Sequence, residues 1–212
     1  MNISFQNVIP KPMVGSISNS DIWLTNMEFK KNEMYQIVAP SGTGKTSLLH
    51  FLFGIRKDYD GEICFDSISL SSYSFNDWDV LRKQSVSILF QGLRLFHELD
   101  IWENIHIKNK LTGYKSKEQI QTLLERLGLE NHIHKQAGIL SFGQQQRVAL
   151  VRALCQPYEF LLLDEPFSHL DADNASIAMK IIEEEVQSQK AGLLITSLHT
   201  ESFNTKLHVL NL

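Results

Sequence analysis

The apolar run Met34-Tyr35-Gln36-Ile37-Val38 leads directly into Ala39-Pro40-Ser41-Gly42-Thr43-Gly44-Lys45-Thr46, and this junction constrains the chain more than any other stretch. A strand that ends in a glycine loop and restarts as a helix presents several backbone N–H groups at one point, which is the geometry of a phosphate site. Gly42, Thr43 and Gly44 are placed to wrap a β-phosphate, Lys45 to reach the β- and γ-oxygens, and the Thr46 hydroxyl to ligate Mg²⁺. Pro40, Ser41 and Ser47 complete the nucleotide-binding set, so the chain reads as a binder of a nucleoside triphosphate. One position departs from the G-x-x-x-x-G-K-[ST] pattern, because Ala39 stands where the first glycine is expected. Were that position left-handed, its methyl would cost about 1–2 kcal/mol. Several charge-assisted hydrogen bonds to phosphate, at about 1.5–3 kcal/mol each, outweigh that cost.

With 212 residues, 43% of them hydrophobic, the chain can bury the core of one α/β domain. A formal net charge of −4 gives no overall attraction to nucleic acid, and no dense basic patch is visible, so no nucleic-acid partner is expected. Cys64 and Cys155 lie far apart without Cys-x-x-Cys spacing. They fit a reducing compartment and speak against a disulfide framework or a zinc site. There is no basic-plus-apolar leader and no apolar run near the roughly 18 residues that cross a bilayer, so any membrane role has to come through a partner.

Apolar alternation predicts strands near residues 2–8 and 22–29 ahead of 34–39, and the helix opened by Gly44 runs through Leu48, Leu49, Leu52 and Phe53 to Gly54. Asp60-Gly61 reads as a turn into a strand at 62–65, a short helix is expected at 76–83, and a strand at 85–90 ends in Gln91. Residues 92–155 read as a mainly helical insert, including a helix opened by Ser116 with Ile120, Leu123, Leu124 and Leu127 on one face. A buried strand at 160–163, an amphipathic helix at 172–189 and strands at 193–196 and 207–210 return the chain to α/β order.

The run Phe160-Leu161-Leu162-Leu163 delivers Asp164 and Glu165 at its carboxyl end, where ligands sit in open α/β sheets. Asp164 is placed to hold Mg²⁺ and Glu165 to polarise an attacking water. Leu140-Ser141-Phe142-Gly143-Gln144 then opens a helix rich in Val148, Ala149 and Val151, and here the chain resembles the ATP-binding-cassette ATPases. It matches four of the five positions of their Leu-Ser-Gly-Gly-Gln signature, with Phe142 as the exception. The family's order holds along the whole chain: phosphate loop, Gln91, signature, Asp164-Glu165, Ser168-His169-Leu170-Asp171 and His199.

The resemblance implies one P-loop NTPase domain over 1–212: a mixed sheet, an N-terminal antiparallel β region and a helical subdomain at about 92–155. It implies ATP and Mg²⁺ as ligands and two chains, as a homodimer or heterodimer, meeting head to tail. Ser141, Gly143 and Gln144 would address the γ-phosphate held by the other copy, and Asp171 would lie on the loop crossing the interface. Gln91 would sense Mg²⁺ and the attacking water, and His199 would contact the γ-phosphate. The seven other histidines, His132 and His134 among them, read as surface residues. The family's adenine-stacking aromatic is missing near residues 11–16, with Met13 and Val14 the apolar substitutes.

The implied role is the ATPase subunit of a membrane transporter, held at the inner face of the membrane by an integral permease on a separate chain. The short export or lipoprotein-releasing type is the most similar branch. Residues 91–96 and 101–105 either receive that permease, with Leu95, Phe96 or Trp102 exposed, or simply pack the insert. Two alternatives stay open: a soluble cassette ATPase without transport, and a nucleotide-binding regulatory module with weakened catalysis.

Overall fold

The computed structural model describes residues 1–17, 19–200 and 206–212. In chain order its strands are β1 (Ile3–Pro10), β2 (Asn26–Phe29), β3 (Met34–Val38), β4 (Tyr59–Phe65), β5 (Ile68–Ser69), β6 (Val86–Leu89), β7 (Phe160–Asp164), β8 (Gly192–Ser197) and β9 (His208–Asn211). Its α-helices are α1 (Lys45–Leu52), α2 (Phe75–Gln84), α3 (Ile101–Asn109), α4 (Lys117–Arg126), α5 (Phe142–Leu154) and α6 (Ala172–Gln189).

The strands divide into two sheets by pairing type. An antiparallel sheet has the order β2-β1-β4-β5, and a second sheet, β6-β7-β8-β3-β9, is joined by parallel pairs throughout. A parallel sheet needs both faces covered, and β7 shows how the sequence meets that need. Phe160, Leu161, Leu162 and Leu163 are all fully buried; Leu161 and Leu163 enter the core beneath α3–α6, while Phe160 and Leu162 enter the core shared with α1 and the antiparallel sheet. β7 is an interior strand one removed from β3 across β8, and Asp164 at its end bonds Thr46 after the loop that follows β3.

Serine and aspartate caps set the helix starts. Ser74, Asp100, Ser116 and Ser141 each close a capping box with the residue three positions on, which satisfies backbone donors that would otherwise be orphaned. Helices α3, α4 and α5 all lie between β6 and β7. The buried Lys115 ammonium binds both Glu185 oxygens at 2.9 and 2.8 Å and ties this helical segment to α6.

Two expected elements differ. The strand anticipated at 22–29 begins only at Asn26. The Ser20 hydroxyl accepts the N–H groups of Ile22 and Trp23 at 3.0 and 2.8 Å, and Leu24 is left-handed, so the buried Ile22 and Trp23 sit on a turn. Asp60-Gly61 lies within β4 instead of turning the chain. There the register against β1 shifts between Gln6 and Ile9, and Gly61 takes φ +89° where a Cβ would meet the Asn7 carbonyl oxygen at 2.4 Å. The glycine serves a bulge.

Candidate nucleotide site

Between β3 and α1 the loop stands on an aromatic floor that the sequence reading missed. Trp23 Nε1 donates to the Thr43 carbonyl at 3.2 Å, and a Cβ on Gly44, at φ +97°, would lie 3.2 Å from the Trp23 ring and 3.0 Å from Met13 Sδ. Gly44 caps α1 without a side chain, so the first-turn N–H groups remain available to an anion. Ala39 is buried with its N–H on the Ser197 carbonyl at 3.2 Å, and it is not among the left-handed residues. The methyl penalty therefore does not arise. The carbonyls of Ala39 and Pro40 accept the Lys45 ammonium at 2.6 and 3.0 Å, and Thr43 Oγ1 donates to Pro40 at 2.8 Å.

Parallel pairing brings the acidic pair against this loop. Asp164 is almost completely buried; its Oδ2 accepts Thr46 Oγ1 at 2.8 Å and its Oδ1 accepts Thr196 Oγ1 at 2.7 Å. Glu165 follows at φ +49°, a conformation that costs a non-glycine residue energy and that folds retain where function needs it. Its Oε1 lies 3.6 Å from the Lys45 ammonium and its Oε2 accepts Gln91 Nε2 at 3.3 Å. Lys45, Thr46, Gln91, Asp164 and Glu165 thus converge on one point.

A cavity of about 260 Å³ opens there, with Ser41, Gly42, Gly44, Lys45, Thr46, Ser47, Gln91 and Glu165 on its walls. Pro12, Met13 and Arg56 also line it, with no aromatic ring among the lining residues. Met13 takes part in this wall, whereas Val14 is 62% exposed and does not. The Thr46 hydroxyl, the Asp164 carboxylate and the Gln91 amide oxygen are hard donors of the kind Mg²⁺ takes alongside phosphate oxygens and water. No group of three His, Cys, Asp or Glu side chains suited to a metal occurs among the described residues, so the protein donors alone do not form a cage.

His199 follows β8, is exposed, and is tied down through its carbonyl, which accepts Ser197 Oγ at 2.8 Å and Gln36 Nε2 at 3.3 Å. It shares a second cavity, of about 220 Å³, with Glu165, Phe167 and Ser168.

The signature residues stand outside the phosphate cavity of their own chain. Ser141 caps α5 in exchange with Gln144, at 3.3 and 3.0 Å, and a Cβ on Gly143 would lie 2.8 Å from the His169 carbonyl oxygen. Gln144 Nε2 also reaches His132 Nε2 at 3.3 Å. This corrects the reading of His132 as a surface residue: its ring is half-buried, while His134 is 84% exposed as expected. Asp171 caps α6, and the backbone N–H of Asn174 holds its carboxyl below the usual carboxylate range.

Gln146 is the residue tied to the site that pattern reading did not find. Buried at 2% exposure, it donates to the Glu165 carbonyl at 2.9 Å and accepts the His169 N–H at 3.1 Å, linking the signature helix to the acidic strand end. Its only trace in the sequence is a polar residue on the apolar face of α5.

Around the expected partner surface, Phe96 is 52% exposed, Leu95 and Trp102 are partly buried against the helical core, and Ile101 and Ile105 are fully buried. Packing of the insert and exposure of an apolar residue are thus both present in this stretch.

A protein-family model described as ABC transporter matches residues 24–168. The lipoprotein-releasing system ATP-binding protein LolD of Buchnera aphidicola is 36% identical over 188 residues, 87% of this chain and 82% of that protein. The macrolide export ATP-binding/permease protein MacB of Bartonella henselae is 30% identical over 90% of this chain, which spans 29% of MacB. The solved dimeric structure of MJ0796, a bacterial ABC transporter cassette, superposes with a TM-score of 0.79 at 24% identity, covering 93% of this chain and 88% of that one. That likeness establishes the fold.

Proposed function

The chain belongs to the ABC transporter family as an ATP-binding and ATP-hydrolysing subunit, and from that premise we propose that two such chains close head to tail around ATP to drive an export permease carried on a separate chain. The observation that carries this reading is the division of the site. Lys45, Thr46, Gln91 and Glu165 line one cavity, with the Asp164 carboxylate bonded to Thr46, while Ser141 and Gly143 are not among its walls. The signature then has a use only on a second copy's nucleotide, and a symmetric pair provides it twice. In this reading residues 1–212 form one ATPase domain with residues 92–155 as its helical insert.

In each half-site, the loop N–H groups and Lys45 bind the triphosphate, and Met13 and Pro12 bear the base. Thr46, Asp164 and Gln91 would hold Mg²⁺, which would neutralise charge on the triphosphate. Glu165 orients and polarises the attacking water, steadied by Gln91, with His199 beside it on the γ-phosphate side. Ser141, Gly143 and Gln144 of the neighbouring copy cap the γ-phosphate from a helix N-terminus, and Asp171 lies on the adjoining edge. Loss of the γ-phosphate removes contacts to both copies and lets them part, a two-state switch biased by the nucleotide.

No helix among the described residues is long and apolar enough to cross a membrane. Attachment at the inner membrane face is therefore assigned to the permease. The likeness to LolD, a lipoprotein-releasing protein, and to MacB, a macrolide-export protein, supports the export reading.

The test is Glu165→Gln. Mg²⁺-dependent ATP hydrolysis should fall by at least about 100-fold, the order expected when a positioned catalytic base is removed, and ATP should trap the variant as a dimer on size exclusion. Unchanged turnover would remove Glu165 from its assigned role.

A further inference from the structure

Arg56 lines the same cavity as Lys45, Thr46, Gln91 and Glu165, yet no step of ATP hydrolysis assigned to this chain uses it. It follows α1, and its guanidinium is held along its edges. Nε donates to Asp58 Oδ1 at 2.9 Å, Nη2 donates to Asp58 Oδ2, and Nη1 donates to Ser47 Oγ at 2.7 Å. Its central carbon stands over the Phe51 ring, 5.7 Å from the centroid. Phe51 is itself buried and in ring contact with Trp23, the indole beneath the phosphate loop, and with Tyr59, at centroid separations of 6.4 and 4.8 Å.

A guanidinium held this way offers a plane more than a charge. Asp58 answers its positive charge through the two-pronged contact, so its net attraction for a phosphate is small. The same contact keeps the plane from turning, which lowers the entropy lost when a second flat group is laid against it. The side chain remains 34% exposed. On the cavity walls, the loop, Lys45 and Thr46 are taken by the triphosphate and its cation, and Gln91 and Glu165 by the attacking water. Pro10, Pro12, Met13 and Arg56 are the walls left for the sugar and base, and of these only Arg56 carries a flat, delocalised group. Ser47 joins the two parts of the site: it lies in the first turn of α1, next to Thr46, and its hydroxyl accepts Arg56.

We propose that Arg56 joins Pro12 and Met13 in bearing the nucleobase, with its guanidinium plane stacked on the face of the base. The assignment rests on the nucleotide-binding reading and adds how the base is held. A guanidinium stacks on the π-face, which every base has, so it grips without reading the hydrogen-bonding edge. An arginine that reads an edge instead donates two parallel N–H groups, typically to guanine O6 and N7. Here Asp58 already occupies the Nε–Nη2 fork and Ser47 takes an N–H of Nη1. The chain should therefore tolerate a change of base.

The experiment is equilibrium titration of the full chain, with Mg²⁺ present, against two probes: the non-hydrolysable β,γ-imido analogue of ATP, and inorganic tripolyphosphate, which has the phosphates without sugar or base. Arg56→Lys keeps the charge and a donor for Asp58 but loses the plane. It should weaken the analogue about tenfold and leave tripolyphosphate within about twofold, and the loss should be similar for the guanosine and cytidine analogues. Asp58→Asn keeps the guanidinium but releases its plane, and it should lower the ratio of the two affinities in the same direction. Tripolyphosphate binding by each variant also reports that its phosphate loop is folded. A ratio unmoved in both variants, whether both probes weaken together or neither does, would overturn the base role and leave the nucleotide reading standing. A loss confined to the guanosine analogue would show edge reading in place of stacking and overturn it as well. A parent chain that binds neither probe would overturn this assignment and the nucleotide reading together.

Discussion

Replacing Gln146 with leucine tests whether the signature helix positions the catalytic strand end. Besides a longer donation to Ser168 Oγ at 3.4 Å, the amide makes two short bonds that leucine cannot: the donation to the Glu165 carbonyl at 2.9 Å and the acceptance of the His169 N–H at 3.1 Å. Stranding a buried polar partner costs about 1–3 kcal/mol. His169 lies on an exposed stretch where water can replace the lost acceptor, so its share falls at the low end. Together the two losses should destabilise the nucleotide-free chain by about 2–4 kcal/mol in urea titration. The kinetic effect follows from Glu165 itself, whose left-handed backbone holds about 1–3 kcal/mol of strain that its surroundings must restrain. Released, the carboxylate drifts from the water it orients, and a misplacement near 1 Å costs roughly 100-fold. Gln146→Leu should therefore lower kcat about 10- to 100-fold with little change in KM for ATP. Gln146→Glu keeps the acceptor for His169 but sets an oxygen against the Glu165 carbonyl, and it should share the kinetic defect. Loss of stability in both variants with kcat intact would refute the argument that Gln146 holds the base.

Three further outcomes follow from the same contacts. Because Ala39 is not left-handed, Ala39→Gly should leave ATP affinity within about twofold and reduce stability by about 0.4–1 kcal/mol through unfolded-chain entropy; tenfold tighter binding in an equilibrium titration would contradict the backbone assignment. Glu185→Gln strands the Lys115 ammonium and should cost about 3–5 kcal/mol in denaturant unfolding, whereas joint replacement of both by apolar residues should recover most of it. The Asp171 carboxyl is held below its unfolded value by Asn174, so its contribution to stability is present above the unfolded carboxylate range and lost as pH falls through the folded value; Asp171→Asn should flatten the acid limb of the stability profile, and an unaltered limb would count against the cap.

The parts of the site that were legible in the sequence are those whose chemistry is local. The glycine loop, Lys45 and Thr46 occupy one strand-to-helix turn, and Asp164-Glu165 end a strand whose four apolar residues allow only a buried position. Gln91 was legible through the order of motifs. What escaped depends on contacts between distant segments. Trp23 read as one member of an alternating strand, yet the Ser20 hydroxyl turns the chain there and delivers the indole beneath Thr43. Gly61 carried a turn signature, but its left-handed backbone is used inside a strand because Asn7 on β1 requires a bulge. Gln146 and His132 gain their roles only when α5 packs against Glu165 and the segment before the signature. The cost assigned to Ala39 was likewise conditional on a backbone conformation that one-dimensional pattern does not report.

The composite site can be tested most directly by mixing two disabled chains, one carrying Lys45→Ala and the other Ser141→Arg, and measuring single-turnover ATP hydrolysis. In a head-to-tail pair, the mixed dimer rebuilds one complete site from the intact Lys45 of one copy and the intact Ser141 of the other. The mixture should therefore hydrolyse well above the sum of its separate components. Activity equal to that sum, with the mixed dimer demonstrably formed, would contradict a nucleotide shared between copies.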